Sequence, residues 1–199
     1  QTAANGKIKI TIYGSESMGK MGDEWNMLKN GVSNIGWLLP HMYPGTFPRS
    51  EVYSNPMGIP MEKDFEVINT LFNKYVKDDY AEVKVLWPGN LGVTNVHTSK
   101  KPVKSLDDLK GMQIRAAGTA QAAFVKALGA TPAVIAPPEL YTALERGTVE
   151  GTVFPMDAFV SYKLQEVVKY HVVYGLGLGL NVMAMNLKKN GHQKRNEDD

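Results

Sequence analysis

Apolar and polar positions alternate with period two over residues 7–13 (KIKITIY), where β-branched side chains also cluster, and this predicts a strand. A Gly/Ser-rich loop follows at 14–22, then a short helix over 23–29 ended by Gly31. Residues 34–39 (NIGWLL) form a short apolar run of the kind found in buried strands. Four prolines and two glycines between 41 and 60 predict an irregular connector. The period then becomes helical. Phe65, Val67, Ile68, Leu71, Phe72 and Tyr75 predict one long amphipathic helix over 63–80.

Beyond it the pattern predicts a strand at 83–87, a Pro-Gly-Asn turn, and a second strand at 92–98. Ser105 opens a helical turn whose start suits Asp107 and Asp108, because the first amides of a helix carry partial positive charge. A short strand at 112–115 leads to an Ala-rich helix at 119–128, closed by Gly129. Strands at 133–136 and 149–154 flank a helix at 138–146. A helix at 157–168 and strands at 170–174 and 180–186 complete the pattern, and 190–199 is polar and aperiodic. Strands alternating with helices of this length predict α/β layers.

The chain has 199 residues with 43% hydrophobic and 21% charged, so one or two ordinary globular cores are within reach. Its 22 basic and 20 acidic residues leave a net charge of +2, which gives no electrostatic footprint for nucleic acid. The absence of cysteine excludes disulfides and thiolate chemistry. No apolar stretch is long enough to span a bilayer, and residues 1–9 lack the apolar segment of a signal peptide.

Few motifs carry chemistry. The glycines in GLGLGLN (Gly175, Gly177, Gly179) precede a strand, whereas a dinucleotide loop precedes a helix, so they read as a flexible crossing segment. His41, His97, His171 and His192 show no metal-ligand spacing. No metal or cofactor is expected. Arg115 stands out: it ends a short strand just before a glycine and a helix start. Ligands of open α/β sheets bind outside the carboxyl ends of strands, and a guanidinium there can clamp a carboxylate with two parallel hydrogen bonds. An exposed arginine at a strand end is the other reading.

Residues 101–155 contain LKGMQIR, ALGATP and ELYTALERGTVEG in that order. This stretch, with GSESMG and NIGWLLPHMYPGTFP before it, resembles the DctP-like solute-binding proteins of tripartite ATP-independent periplasmic (TRAP) transporters. The resemblance covers most of residues 7–189. It implies a two-lobed periplasmic-binding-protein-like α/β fold with strands crossing between lobes: 1–92 as N-terminal lobe, 93–178 as C-terminal lobe, and 179–199 as a crossing strand with a frayed tail. Family members begin with a further strand and helix and continue past Asn186, so the resemblance also implies a chain incomplete at both ends.

The resemblance further implies a non-enzymatic periplasmic receptor that binds a small organic acid and delivers it to the membrane subunits of a TRAP permease. Arg115 matches the family's carboxylate-binding arginine. Asn95 stands where some members have a second arginine, Phe154 where sialic-acid-binding relatives have an asparagine, and Leu39 where they have an acidic residue. Trp37 joins Leu39 at the N-lobe side of the cleft. Trp37 and Phe154 also fit a reading as core aromatics. One cation, one amide and apolar walls suit a monocarboxylate with an apolar or aromatic body. Two alternatives remain: an α/β enzyme in which His97 or Asp157 acts beside Arg115, and a periplasmic sensor domain built on the same fold.

Overall fold

The structure is a computed structural model, and it describes residues 9–14, 16–54, 61–173 and 178–189. The helices are α1 (Glu24–Asn30), α2 (Pro48–Glu51), α3 (Asp64–Leu71), α4 (Thr119–Ala127) and α5 (Leu140–Glu145). The strands are β1 (Ile35–Leu38), β2 (Val83–Thr98), β3 (Gln113–Ala116), β4 (Thr131–Val134), β5 (Gly151–Pro155), β6 (Tyr170–Val172) and β7 (Leu178–Asn186). They form one mixed sheet in the order β1-β7-β2-β5-β3-β4, with β6 also paired to β2.

Strand β2 organises the molecule. Its first part, from Val83 to Val93, pairs antiparallel with β7, and its last part pairs with β5 and β6. The two strands and turn expected over 83–98 are therefore one strand of 16 residues. The Pro-Gly-Asn signal does not reverse the chain because β7 pairs with the residues on both sides of it. The irregularity is absorbed as register shifts between Val85 and Trp87 and between Asn90 and Val93, with Gly92 at φ +78°.

Three apolar cores flank this strand. The first joins Trp25 and Leu28 of α1 with Leu38, Phe47, Ile68, Phe72, Val76, Tyr80, Val83 and the β7 residues Leu180, Val182 and Ala184. Phe47 stacks on Tyr80 at 4.7 Å and meets Trp25 edge-on at 4.8 Å. Buried Asn186 ties β7 to α1 by donating to the carbonyls of Leu28 and Lys29 in the last turn of the helix, where carbonyls lack the i+4 amide of the helix interior. The second core gathers Val96, Leu109, Ile114, Val125 and Val153; the third gathers Leu140, Leu144, Phe154, Phe159 and Leu164.

Three further expectations are corrected. Residues 9–13 form no strand: no described residue pairs with them, and Ile10, Ile12 and Tyr13 are exposed. Residues 7 and 8, the glycines at 175 and 177, and 190–199 lie outside the described residues. The helix over 63–80 is α only to Leu71, then continues as a π turn and a 3-10 turn. Its buried stripe is Ile68, Phe72, Val76 and Tyr80, a strict i+4 series that the wider π turn keeps facing one way, while Phe65 and Tyr75 are exposed. Residues 157–168 form two short 3-10 turns rather than a helix. Phe159, Leu164 and Val168 enter the third core at spacings of five and four, and Lys163 takes φ +55° to reach that geometry.

Candidate functional site

Strand β3 lies between β4 and β5 and runs parallel to both, which sets Arg115 opposite Ala133 and Thr152. The side chain is 1% exposed. Its Nε donates to the Ile135 carbonyl at 2.8 Å, and Nη1 donates to the Val153 carbonyl at 3.3 Å. The guanidinium carbon lies 5.4 Å from the Phe154 ring centroid. Nη2 is buried and has no hydrogen-bond partner among the described residues. None of the ion pairs among those residues includes Arg115. Burial lowers its pKa to about 10, partly opposed by nearby Tyr162, so it stays charged at neutral pH. A buried cation without a counter-charge costs several kcal/mol (roughly, after relaxation), and an anion reaching Nη2 would remove much of that penalty.

Arg115 opens onto a cleft of about 1890 Å³. That exceeds the roughly 300–1,000 Å³ of a typical small-molecule pocket, so a small ligand fills only part of it. Ala117, Gly118, Thr119 and Ala120 carry the chain from β3 into α4 along one wall. The first amides of α4 therefore face the same space as the guanidinium, and both favour an anion. Gln121 holds this turn by accepting the Ala117 amide at 2.7 Å.

A second wall comes from the end of β1 and the turn after it. Trp37 (38% exposed), buried Leu39 and His41 line it. A Cβ on Gly118 would fall 2.6 Å from the His41 carbonyl oxygen, so the two walls meet at a point where only glycine fits. Burial, and then repulsion by Arg115, lowers the His41 pKa to about 4, so its ring is neutral at neutral pH. Phe154 and Tyr162 meet edge-on at 5.4 Å. Burial raises the Tyr162 pKa, and Arg115 pulls it back.

Of the residues singled out from sequence, Arg115, Phe154, Trp37, Leu39 and Asp157 line this cleft, and Asn95 and His97 do not. Asn95 sits opposite Phe154 in the β2–β5 ladder, and its amide donates to the Val93 carbonyl at 3.3 Å. His97 is fully buried and occupied at both nitrogens. Its Nε2 lies 3.0 Å from the Phe154 carbonyl, which can only accept, so Nε2 carries the proton. His97 Nδ1 then accepts from His171 Nδ1 at 2.8 Å. Burial, opposed by the Phe154 carbonyl, lowers the His97 pKa to about 4. Asp157 is exposed at the rim, against Gly92. His41 and Tyr162 were not singled out, because only the approach of distant segments brings them to Arg115.

Among the described residues no group of three or more His, Cys, Asp or Glu could hold a metal, and no helix is long and apolar enough to cross a membrane. The family model for bacterial extracellular solute-binding proteins, family 7 (DctP), matches residues 1–190. The chain belongs to this family. A TRAP solute-binding protein from an unidentified marine microbe, specific for aromatic acid ligands and in complex with 3-hydroxybenzoate, is 29% identical. It superposes with a TM-score of 0.87 over 94% of this chain and 61% of that one. A TRAP solute-binding protein from Rhodoferax ferrireducens T118 with copurified benzoate is 26% identical, with a TM-score of 0.88 over 94% and 60%. The C4-dicarboxylate-binding periplasmic protein DctP of Rhodobacter capsulatus is 26% identical over 90% of this chain and 56% of its own length. The chain spans between 31% and 56% of the first curated relatives it matches. The mixed α/β fold is that of TRAP periplasmic binding proteins.

Proposed function

We propose that this chain forms the ligand-binding body of a periplasmic receptor that captures a small monocarboxylate with an apolar or aromatic body and delivers it to a TRAP permease without altering it. The observation that carries this reading is the buried, unanswered Nη2 of Arg115 at the cleft. In this reading Arg115 grips the carboxylate and the start of α4 adds its field. Phe154, Trp37 and Leu39 enclose the body of the acid, and Asp157 stands at the rim. Asn95 and His97 act from behind the wall by holding the Phe154 backbone in place.

Residues 1–92 and 93–178 serve as the two lobes and 179–199 as the returning segment, with the bulged middle of β2 as one crossing. Ligand contacts from both lobes favour the closed arrangement. The apolar side chains of Phe154, Trp37 and Leu39 argue against a dicarboxylate or sugar acid, since each unpaired polar group buried against them costs about 1–3 kcal/mol. The aromatic acids bound by two relatives of this fold support the same class.

A thermal-shift and calorimetric panel of benzoate, mandelate, succinate and sialic acid on the full-length protein tests the proposal. The two aromatic acids are expected to stabilise it most, and the bound acid is expected to be recovered unchanged. Preference for succinate or sialic acid, or conversion to a product, overturns it.

A further inference from the structure

Four buried side-chain atoms among the described residues have no hydrogen-bond partner: Tyr53 Oη, Ser99 Oγ, Arg115 Nη2 and Asn181 Oδ1. Tyr53 and Ser99 do not line the cleft, whereas Arg115 and Asn181 both do. One of the pair is a cationic donor and the other a neutral acceptor. Unanswered buried polar atoms are rare in folded proteins and call for an explanation.

Asn181 lies on β7 and is 3% exposed. Its neighbours Leu180 and Val182 enter the first core, so strand alternation turns Asn181 to the cleft face, where Gly179 and Met183 also lie. Across the ladder stands Gly89, and the Trp87 ring and Asn181 Oδ1 together occupy the space that a Gly89 side chain would fill. On the other edge, Leu38 pairs with Val182, which sets Leu39 beside Asn181. Two residues further on, His41 feels the Arg115 charge. Leu39 and His41 therefore link the two unanswered atoms along one wall.

We propose that Asn181 reads a hydroxyl on the ligand, so that the preferred solute is a hydroxylated monocarboxylate. The inference rests on the reading of Arg115 as the carboxylate grip. A hydroxyl both donates and accepts, so it satisfies the amide whichever end faces it. The Trp87 atoms that share this space with Oδ1 are ring carbons, which donate no hydrogen bond, and Oδ1 has no partner among the described residues. A site built to bond a hydroxyl discriminates against the analogue that lacks it, because its own polar atom is then left unpaired.

Calorimetry on the full-length protein with matched acids tests this. The probes are the three hydroxybenzoates, benzoate and the methoxybenzoates, and mandelate, phenylacetate and O-methylmandelate. At least one hydroxy acid is expected to bind about 10-fold tighter than both its parent and its methyl ether. Asn181→Leu and Asn181→Ser are read on the same panel, with folding checked by circular dichroism. Asn181→Leu is expected to erase the hydroxyl preference and leave the parent acid within about 2-fold, while Asn181→Ser retains part of it. Equal binding of parent and hydroxy acids by the unaltered protein overturns the inference even if neither variant folds. So does a preference that survives in Asn181→Leu. Failure to bind any acid, or equal binding by Arg115→Ala, instead overturns the receptor reading beneath it.

Discussion

The Arg115 guanidinium lies over the Phe154 ring at 5.4 Å while two of its nitrogens hang from the carbonyls of Ile135 and Val153. The Ile135 carbonyl lies just past the end of β4 and the Val153 carbonyl lies within β5, the two strands that flank β3. The rigid, planar fork is thus fixed by backbone on one edge and by an aromatic face below. Its one unanswered nitrogen has a set direction before any ligand arrives. Such preorganisation spares the binding step the entropy of ordering a long side chain.

Replacing this fork separates binding from folding. Arg115→Met keeps the volume and removes a buried charge that no described residue compensates. Acid affinity is expected to fall by at least about 100-fold, on the order of 3 kcal/mol. The ligand-free melting temperature is expected to hold or rise, because exchanging a buried ionic group for an apolar one is often neutral or stabilising. Calorimetry and differential scanning calorimetry on the same preparation check both halves. A large fall in melting temperature would mean that Arg115 serves the fold rather than the ligand.

Phe154 is expected to set the preference for aromatic bodies. Phe154→Leu removes the face over which Arg115 sits and the edge contact with Tyr162, while keeping the third core filled. An aromatic pair is worth about 0.5–1.5 kcal/mol beyond its area, so benzoate and mandelate should weaken about 3- to 10-fold. Short aliphatic acids such as lactate should change by less than about 2-fold by the same reasoning. A competition series with both classes reads the ratio.

Much of this site was legible in the sequence, and the remainder shows what local pattern does not encode. Arg115 could be found because strand, glycine and helix start follow one another within a few residues. Its partners Ile135, Val153 and Phe154 come from segments 20 to 39 positions away, and no spacing rule announces them. His97 was placed beside Arg115 only as a candidate acid or base of the enzyme alternative. Its two nitrogens are in fact held by Phe154 and His171 from separate strands. The continuity of β2 was hidden for the same reason: the Pro-Gly-Asn signal is local, and the pairing with β7 that overrides it closes a separation of about ninety residues.

Acid should loosen the fold through two histidines. His97 and His41 both have pKa values near 4, chiefly from burial, against an ordinary 6.5. Between pH 6.5 and 4 the unfolded chain binds protons that the folded protein does not. Stability is therefore full above about pH 6.5 and is lost as pH falls toward 4, by up to about 1.4 kcal/mol per pH unit for each histidine. Denaturant melts between pH 7 and 4.5 measure the slope, and His97→Gln should flatten it.

The contact between Gly118 and the His41 carbonyl predicts how the two walls meet. Gly118 has extended backbone at φ −171°, a conformation open to any residue, so its need for glycine comes from outside its own dihedrals. A methyl group there would fall 2.6 Å from a backbone oxygen, which cannot swing aside as a side-chain tip would. Either the 39–43 turn, which lines the cleft, or the start of α4, which faces the anion site, must then retreat. Overpacking of this kind costs about 1–3 kcal/mol. If the cost falls on the meeting of the walls, Gly118→Ala should lower acid affinity about 5- to 150-fold by the same figure while the ligand-free melting temperature moves by no more than a few degrees. Small-angle scattering with saturating acid should show a less compact particle than the unaltered protein. Unchanged affinity would mean that the walls need not touch for the acid to be held.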